Sequence, residues 1–315
     1  MTQLVERAPN LIKVTEAIAA ASVFQKKAVK KLLEEADGAY IEFAESVCSR
    51  MLQAARAQEA KADHAFLAKA YLDYTKSIRT EEMYFAKEGR YRHADFDLVY
   101  KNVYGRDDYM FEYVVGLGMT QIFWPNHYAI MRFYLDEFLP LAARARSGAE
   151  IGVGHGIFHA ELLRAAPQCR TVMLDISPTS LAQTRRMVAA TGLDPERAEP
   201  RNVDVQKEIP LPDGSLDVLL MGELIEHLQE GERVMGQIKA KMAPGGICFF
   251  TTAANAPAED HILLFRTSGE IRDFINRTGW EVVREYLGTL KGMSVDKADA
   301  EGHNLNYAAA LRVKA

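Results

Sequence analysis

Glu223-Leu-Ile-Glu226-His227 sets two carboxylates and an imidazole within one short stretch, and Glu259-Asp260-His261 adds a second acid–imidazole group. On a helix, positions 223, 226 and 227 share one face, so their side chains would converge. Oxygen and nitrogen donors grouped in this way suit a divalent cation. Glu223, Glu226, His227 and His261 would hold it and leave positions open for a substrate. The same residues also suit metal-free chemistry, with His227 acting alone as a general base near neutral pH. A different chemistry is written upstream, where Glu150-Ile-Gly152-Val-Gly154-His-Gly156 places glycines at alternate positions behind an acid. Such glycines let a backbone turn tightly and lie close to a nucleoside. A dinucleotide fingerprint would carry its third glycine three residues after Gly154, where this chain has Ile157. Asp175 follows Gly156 by nineteen positions and could accept hydrogen bonds from both ribose hydroxyls.

Strand–helix alternation is what would position these groups. Short apolar runs predict strands at Ala149–Val153, Thr171–Asp175, Pro200–Val205, Leu216–Met221, Ile247–Thr252, Trp280–Leu287 and Asn306–Val313. Amphipathic spacing predicts helices over Ile157–Ala166, from Pro178 onward, over Glu226–Met242 and over Ser268–Thr278. Pro244-Gly245-Gly246 would stop the third of these. The expectation is an α/β fold with a mainly parallel sheet covered by helices on both faces. The loops carrying Glu223–His227 and Glu259–His261 would then open on the same sheet edge.

In order along the chain, the acid-led glycine loop, Asp175, Asp204, Asp217-Val-Leu-Leu-Met-Gly222 and the Pro-Gly-Gly turn resemble the motif series of class I S-adenosylmethionine-dependent methyltransferases. The resemblance covers roughly residues 149–313 and implies a Rossmann-like seven-stranded methyltransferase sheet. It implies S-adenosylmethionine as cofactor, with Gly152, Gly154 and Gly156 flanking its methionine part, Glu150 and Gly222 near its ammonium end, and Asp175 with Ile176 at the ribose. Asp204 and Val205 would read the adenine, and Glu223 would contact the cofactor end. The ExxEH pattern is similar to that of ubiquinone-pathway O-methyltransferases and small-RNA terminal 2′-O-methyltransferases, which implies a metal-assisted hydroxyl acceptor. Without the metal, the pattern implies a cofactor contact and a histidine base.

Ahead of Ser147 the periodicity is helical, which predicts an N-terminal helical domain over 1–147 and the cofactor-binding domain over 148–315. The resemblance implies a lid that shapes the acceptor pocket. The Trp124–Tyr128 bend makes His127 a second candidate base, beside its plainer role as a hydrogen-bonded residue at a helix start. Residues 84–113 read as a long connection with short helical turns. Tyr71, Tyr74 and Ile78 read as a packing stripe, His155 and His159 as loop and helix-surface residues, and the three cysteines as buried and reduced. The net charge of −5 and the absence of basic runs weigh against a nucleic-acid surface and so against an RNA acceptor. Charges within residues 1–24 do not fit a signal peptide, and Gly116, Gly118 and Pro125 break the apolar stretch at 113–131, so a cytoplasmic protein without a membrane span is expected. The partner is expected to be a small-molecule acceptor, with a homodimer compatible with the apolar helices. A nicotinamide-dependent oxidoreductase and a non-catalytic nucleotide-binding protein are the competing classes.

Overall fold

The computed structural model describes residues 7–289 and 292–314; the first six residues of the stretch read as lacking a signal peptide lie outside it. The helical half comprises α1 (Pro9–Ala21), α2 (Val23–Glu35), α3 (Gly38–Gln58), α4 (His64–Glu88), the short α5 (Phe96–Val99), α6 (Asp107–Phe123), α7 (Pro125–Phe133) and α8 (Leu139–Ala142). Local chemistry sets the ends. Asp37 and Asp63 accept from the backbone N–H groups of Tyr40 and Phe66 and so cap α3 and α4, and Pro125 opens α7 where no N–H is needed. A π-helical turn over Tyr134–Phe138 leads into α8, which carries Pro140 in its first turn and ends at Ala142. The apolar 113–131 stretch is the two-piece arrangement expected, α6 and α7 meeting at Trp124, and among the described residues no helix is long and apolar enough to cross a membrane.

The second half runs β1 (Ser147–Ile151), α9 (Ile157–Ala165), β2 (Arg170–Asp175), α10 (Pro178–Ala190), β3 (Ala198–Asn202), β4 (Leu216–Met221), α11 (Gly231–Lys241), β5 (Met242–Ala254), α12 (Ser268–Arg277), β6 (Trp280–Thr289), α13 (Val295–Glu301) and β7 (Leu305–Val313). The seven strands lie in the order β3-β2-β1-β4-β5-β7-β6. β1 to β5 are parallel, and β7 is antiparallel to both β5 and β6. This is the Rossmann-like seven-stranded sheet, with its order reversing at β1 and β4. Ligands of open α/β sheets bind outside the strand C-termini at such a reversal.

Three elements depart from expectation. β3 ends at Asn202 because Asn202 Nδ2 donates to the carbonyls of Asp175 and Ile176, and Asp204 then turns the chain by accepting from Gln206 N. No α-helix starts at Glu226. Its carbonyl oxygen accepts from Ile262 N at 2.7 Å and Leu263 N at 2.9 Å, which occupies the acceptor a helix would use, and only a 3₁₀ turn forms at Ile225–His227. The Pro-Gly-Gly turn lies inside β5 as a bulge, with Met242 opposite Leu216 and Ile247 opposite Val218.

The helical half is not a separate shell. Met51, Tyr71, Tyr134 and Phe138 of the helices share one core with Phe158, Phe249, Ala308 and Ala310 of the α/β half. His159, expected at a helix surface, is fully buried because Glu150 Oε2 and Thr171 Oγ1, each 2.8 Å away, satisfy both ring nitrogens. His155 is also buried, its Nδ1 accepting from Ile157 N. All three cysteines are free and buried.

Candidate active site

A cavity of about 730 Å³ opens at the C-terminal ends of β1, β2 and β4 and continues beneath α4 and α6. One wall is the glycine loop. Gly152 and Gly154 line it with φ of 73° and 47°, a region that L side chains rarely adopt. Gly156 does not line it. It starts α9 at φ 77°, and an added Cβ would fall 2.7 Å from Thr184 Cα, so its role is close packing of α9 against α10. Asp175 Oδ2 accepts from Val153 N at 2.9 Å and Oδ1 from Ser177 N at 2.7 Å, which aims the carboxylate along the loop. Burial pushes its pKa up to about 6, against the lowering by these backbone bonds. Ile176, Asp204, Val205 and Gly222 complete this end of the cavity. Glu150 also lines it, but one carboxylate oxygen is held by His159, and burial raises its pKa.

The opposite wall is built from acids, imidazoles and phenols. Glu223 sits at φ 47°, its N–H donating to Thr251 Oγ1, whose hydroxyl donates to Glu223 Oε1 at 2.6 Å. Glu226 Oε2 accepts from Thr252 Oγ1, while its Oε1 is buried without a partner. Burial and the charge of Glu223 hold Glu226 well above the carboxylate range. His261 Nδ1 donates to Ala256 O at 2.6 Å, which leaves Nε2 as a lone pair, and burial first, then His227, lowers its pKa to about 4. His227 Nδ1 lies 3.1 Å from Asp260 O, an atom that can only accept, so Nδ1 carries the proton and Nε2 is again free. Asp260 Oδ2 accepts from Tyr104 at 2.9 Å and Tyr113 at 2.8 Å. Burial would raise the Asp260 pKa, but His227, His261 and the two phenols hold it below its ordinary value. Donor atoms of Glu226, His227 and His261 lie within 4.8 Å of one another.

Residues 149–250 match the protein family described as a methyltransferase domain. A probable S-adenosylmethionine-dependent methyltransferase of Mycolicibacterium smegmatis is 27% identical over 163 residues, 49% of this chain and 59% of that protein. The chain thus spans little more than half the length of that relative. An O-methyltransferase family protein of Burkholderia thailandensis superposes with a TM-score of 0.50 at 14% identity, over 79% of this chain and 72% of that one, a likeness of fold alone.

Within and around residues 149–250, the structure brings most of the sequence-derived candidates to one cavity and divides them into two walls. Glu223 stands beside the acid–imidazole group and not within it, because the left-handed turn directs its carboxylate to Thr251. His127 lines the cavity, with Nδ1 2.7 Å from Thr120 Oγ1, and burial lowers its pKa to about 4. Sequence reasoning missed the phenols. Tyr104, Tyr113 and Tyr91 lie on or beside the segment read as a connection, in which α4 runs to Glu88 and α6 begins at Asp107. Tyr91 accepts from Ala256 N, and Tyr109 donates to Glu259, so this segment holds the 256–261 loop throughout. Tyr74 and Ile78 also line the cavity, whereas Tyr71 packs in the core. A density of tyrosines in an otherwise polar stretch was the available signal.

Proposed function

We propose that this domain transfers the methyl group of S-adenosylmethionine to a hydroxyl oxygen of a small molecule. The observation that carries the reading is one cavity with a glycine loop and an aimed carboxylate at one end and two imidazole lone pairs at the other. When bound, S-adenosylmethionine supplies an activated methyl on a sulfonium, so the protein's task is alignment and exclusion of water. Asp175 accepts from the ribose hydroxyls, Asp204 and Val205 meet the adenine, and Gly152 and Gly154 admit the methionine part. Glu150 and Gly222 face the ammonium end. As the acceptor oxygen gains the methyl and the sulfur keeps the electron pair of the broken C–S bond, the hydroxyl proton must leave. His227 Nε2 takes it in the metal-free form of the site. The relative from M. smegmatis supports the cofactor assignment, and the acidic net charge supports a small acceptor over RNA.

The acid–imidazole group also fits a divalent ion. Glu226 Oε1 is an unpartnered buried oxygen, and both imidazoles have Nδ1 anchored by a backbone carbonyl with Nε2 left over, the arrangement of histidines that bind metals. Glu226, His227 and His261 would hold the ion, which would lower the pKa of an acceptor hydroxyl.

Calorimetry with S-adenosylhomocysteine tests the cofactor site. The wild type should bind and Asp175→Ala should bind at least about tenfold more weakly, from loss of charge-assisted hydrogen bonds. Equal affinities, or binding of NADH in place of the thioether, would overturn the assignment. Manganese(II) binding followed by electron paramagnetic resonance tests the ion. One site lost in His261→Ala is expected, and absence of any bound manganese(II) leaves His227 as the base alone.

A further inference from the structure

The cavity meets solvent between α2 and α4. Phe24 at the first turn of α2 and Lys76, Arg79 and Glu82 on α4 all line it, and all four are exposed. This mouth carries the three most exposed large apolar side chains among the described residues. Val23 is 81% exposed, Phe24 70%, and Met83, one helical turn beyond Arg79, 62%. A single bare apolar side chain is ordinary on a protein surface, but three gathered at one opening mark a contact. The Arg79 guanidinium lies 5.3 Å from the centre of the Phe24 ring and ties the two helices into one surface. In a chain of net charge −5 that surface is basic. α2 buries only Val29 and turns Lys26, Lys27, Lys30 and Lys31 to solvent. Glu34 and Glu35 pair with Lys30 and Lys31 at 3.7 Å, but among the described residues no acid pairs with Lys26, Lys27, Lys76 or Arg79. Glu82 offsets one of these four charges.

We propose that the mouth formed by α2 and α4 docks on an anionic lipid bilayer, with Val23, Phe24 and Met83 entering the acyl boundary and Lys26, Lys27, Lys76 and Arg79 meeting the lipid phosphates. Bare apolar tips set among unpaired cations are what a helix lying in the plane of such a surface presents. The attachment is peripheral, since no described helix is long and apolar enough to cross a membrane. The same charge argues against a second copy of this chain as the partner. A two-fold contact here would set the cations against their own counterparts. The docking stands apart from the chemistry proposed for the cavity. On the methyltransferase reading it has a consequence, because an acceptor dissolved in the bilayer then reaches the cavity without crossing water.

Co-sedimentation of the full chain with vesicles tests the docking, using phosphatidylcholine alone and phosphatidylcholine mixed with phosphatidylglycerol. Binding to the mixed vesicles should be at least about tenfold stronger than to phosphatidylcholine, and added salt should erase most of the difference. Val23→Ser/Phe24→Ser and Lys26→Glu/Lys27→Glu should each weaken binding to the mixed vesicles about tenfold or more. Their thermal unfolding midpoints should stay near the wild type's, since all four positions are exposed. No preference for the anionic vesicles, or variants that bind as the wild type does, overturns the docking. Wild-type dimers that Phe24→Ser takes apart, with no vesicle binding, would assign the face to a second copy and overturn it equally. Failure of S-adenosylhomocysteine to bind while the vesicles still do would overturn the reading of the cavity and leave the docking in place.

Discussion

Asp175, set at the ribose in the proposed reading, lines the cavity and is a buried acid. Burial raises its pKa from the ordinary 3.8 to about 6, so it is ionised above that value and protonated below. Only the carboxylate accepts from both ribose hydroxyls, and S-adenosylhomocysteine affinity should therefore be flat above about pH 7 and fall toward roughly tenfold per pH unit below about pH 6. The stability effect has the opposite sense. The ligand-free fold binds this proton more readily than the unfolded chain, so Asp175 contributes less stability as pH rises through that window. Calorimetry across pH should show the dependence in the wild type and not in Asp175→Asn; a flat wild-type profile would remove the carboxylate from the ribose site. Its place beside the glycine loop was legible because the signal is local: an acid at the end of an apolar run, a fixed distance from the glycines. The roles of Gly156 and Glu150 were not, since their partners Thr184 and His159 come from other elements.

At the scale of elements, the strand–helix series was readable from period alone, and the seven strands fall near their expected places. The failures share one cause. Glu223–His227 has helical spacing, yet the backbone of Ile262 and Leu263 claims the carbonyl of Glu226, and the tertiary bond defeats the local preference. The consequence is favourable for the site. A helix would have put Glu223 on one face with Glu226 and His227, whereas the left-handed turn at Glu223 hands its carboxylate to Thr251, beside Glu226 but outside the group that Glu226 forms with His227 and His261. Residues 84–113 lack a single period because their side chains divide between a small apolar cluster at Val99, Val103 and Met110 and the polar 256–261 loop. Tyr104 and Tyr113 meet at Asp260, and Tyr109 meets Glu259.

Across the whole molecule, the join between the helical half and the sheet includes a charged contact. Arg50 of α3 lies 2.8 Å from Glu161 of α9, with side chains 7% and 2% exposed, and Arg50 also donates to Thr191 Oγ1. Removing one member of a buried pair strands the other, so Arg50→Met should destabilise the protein by about 3–5 kcal/mol in chemical denaturation. Arg164, which also pairs with Glu161, should place the loss toward the lower end. The double variant Arg50→Met/Glu161→Leu should recover most of it. A single variant as stable as wild type would show the pair to be dispensable.

That join also bears on traffic. With Tyr134, Phe138, Phe158 and Phe249 interlocked across it, swinging one half away from the other would wet a ring cluster with centroids only 4.6 to 5.5 Å apart. Parting the two halves is thus the costly way to widen the cavity, and the aromatic cluster keeps its walls in fixed register.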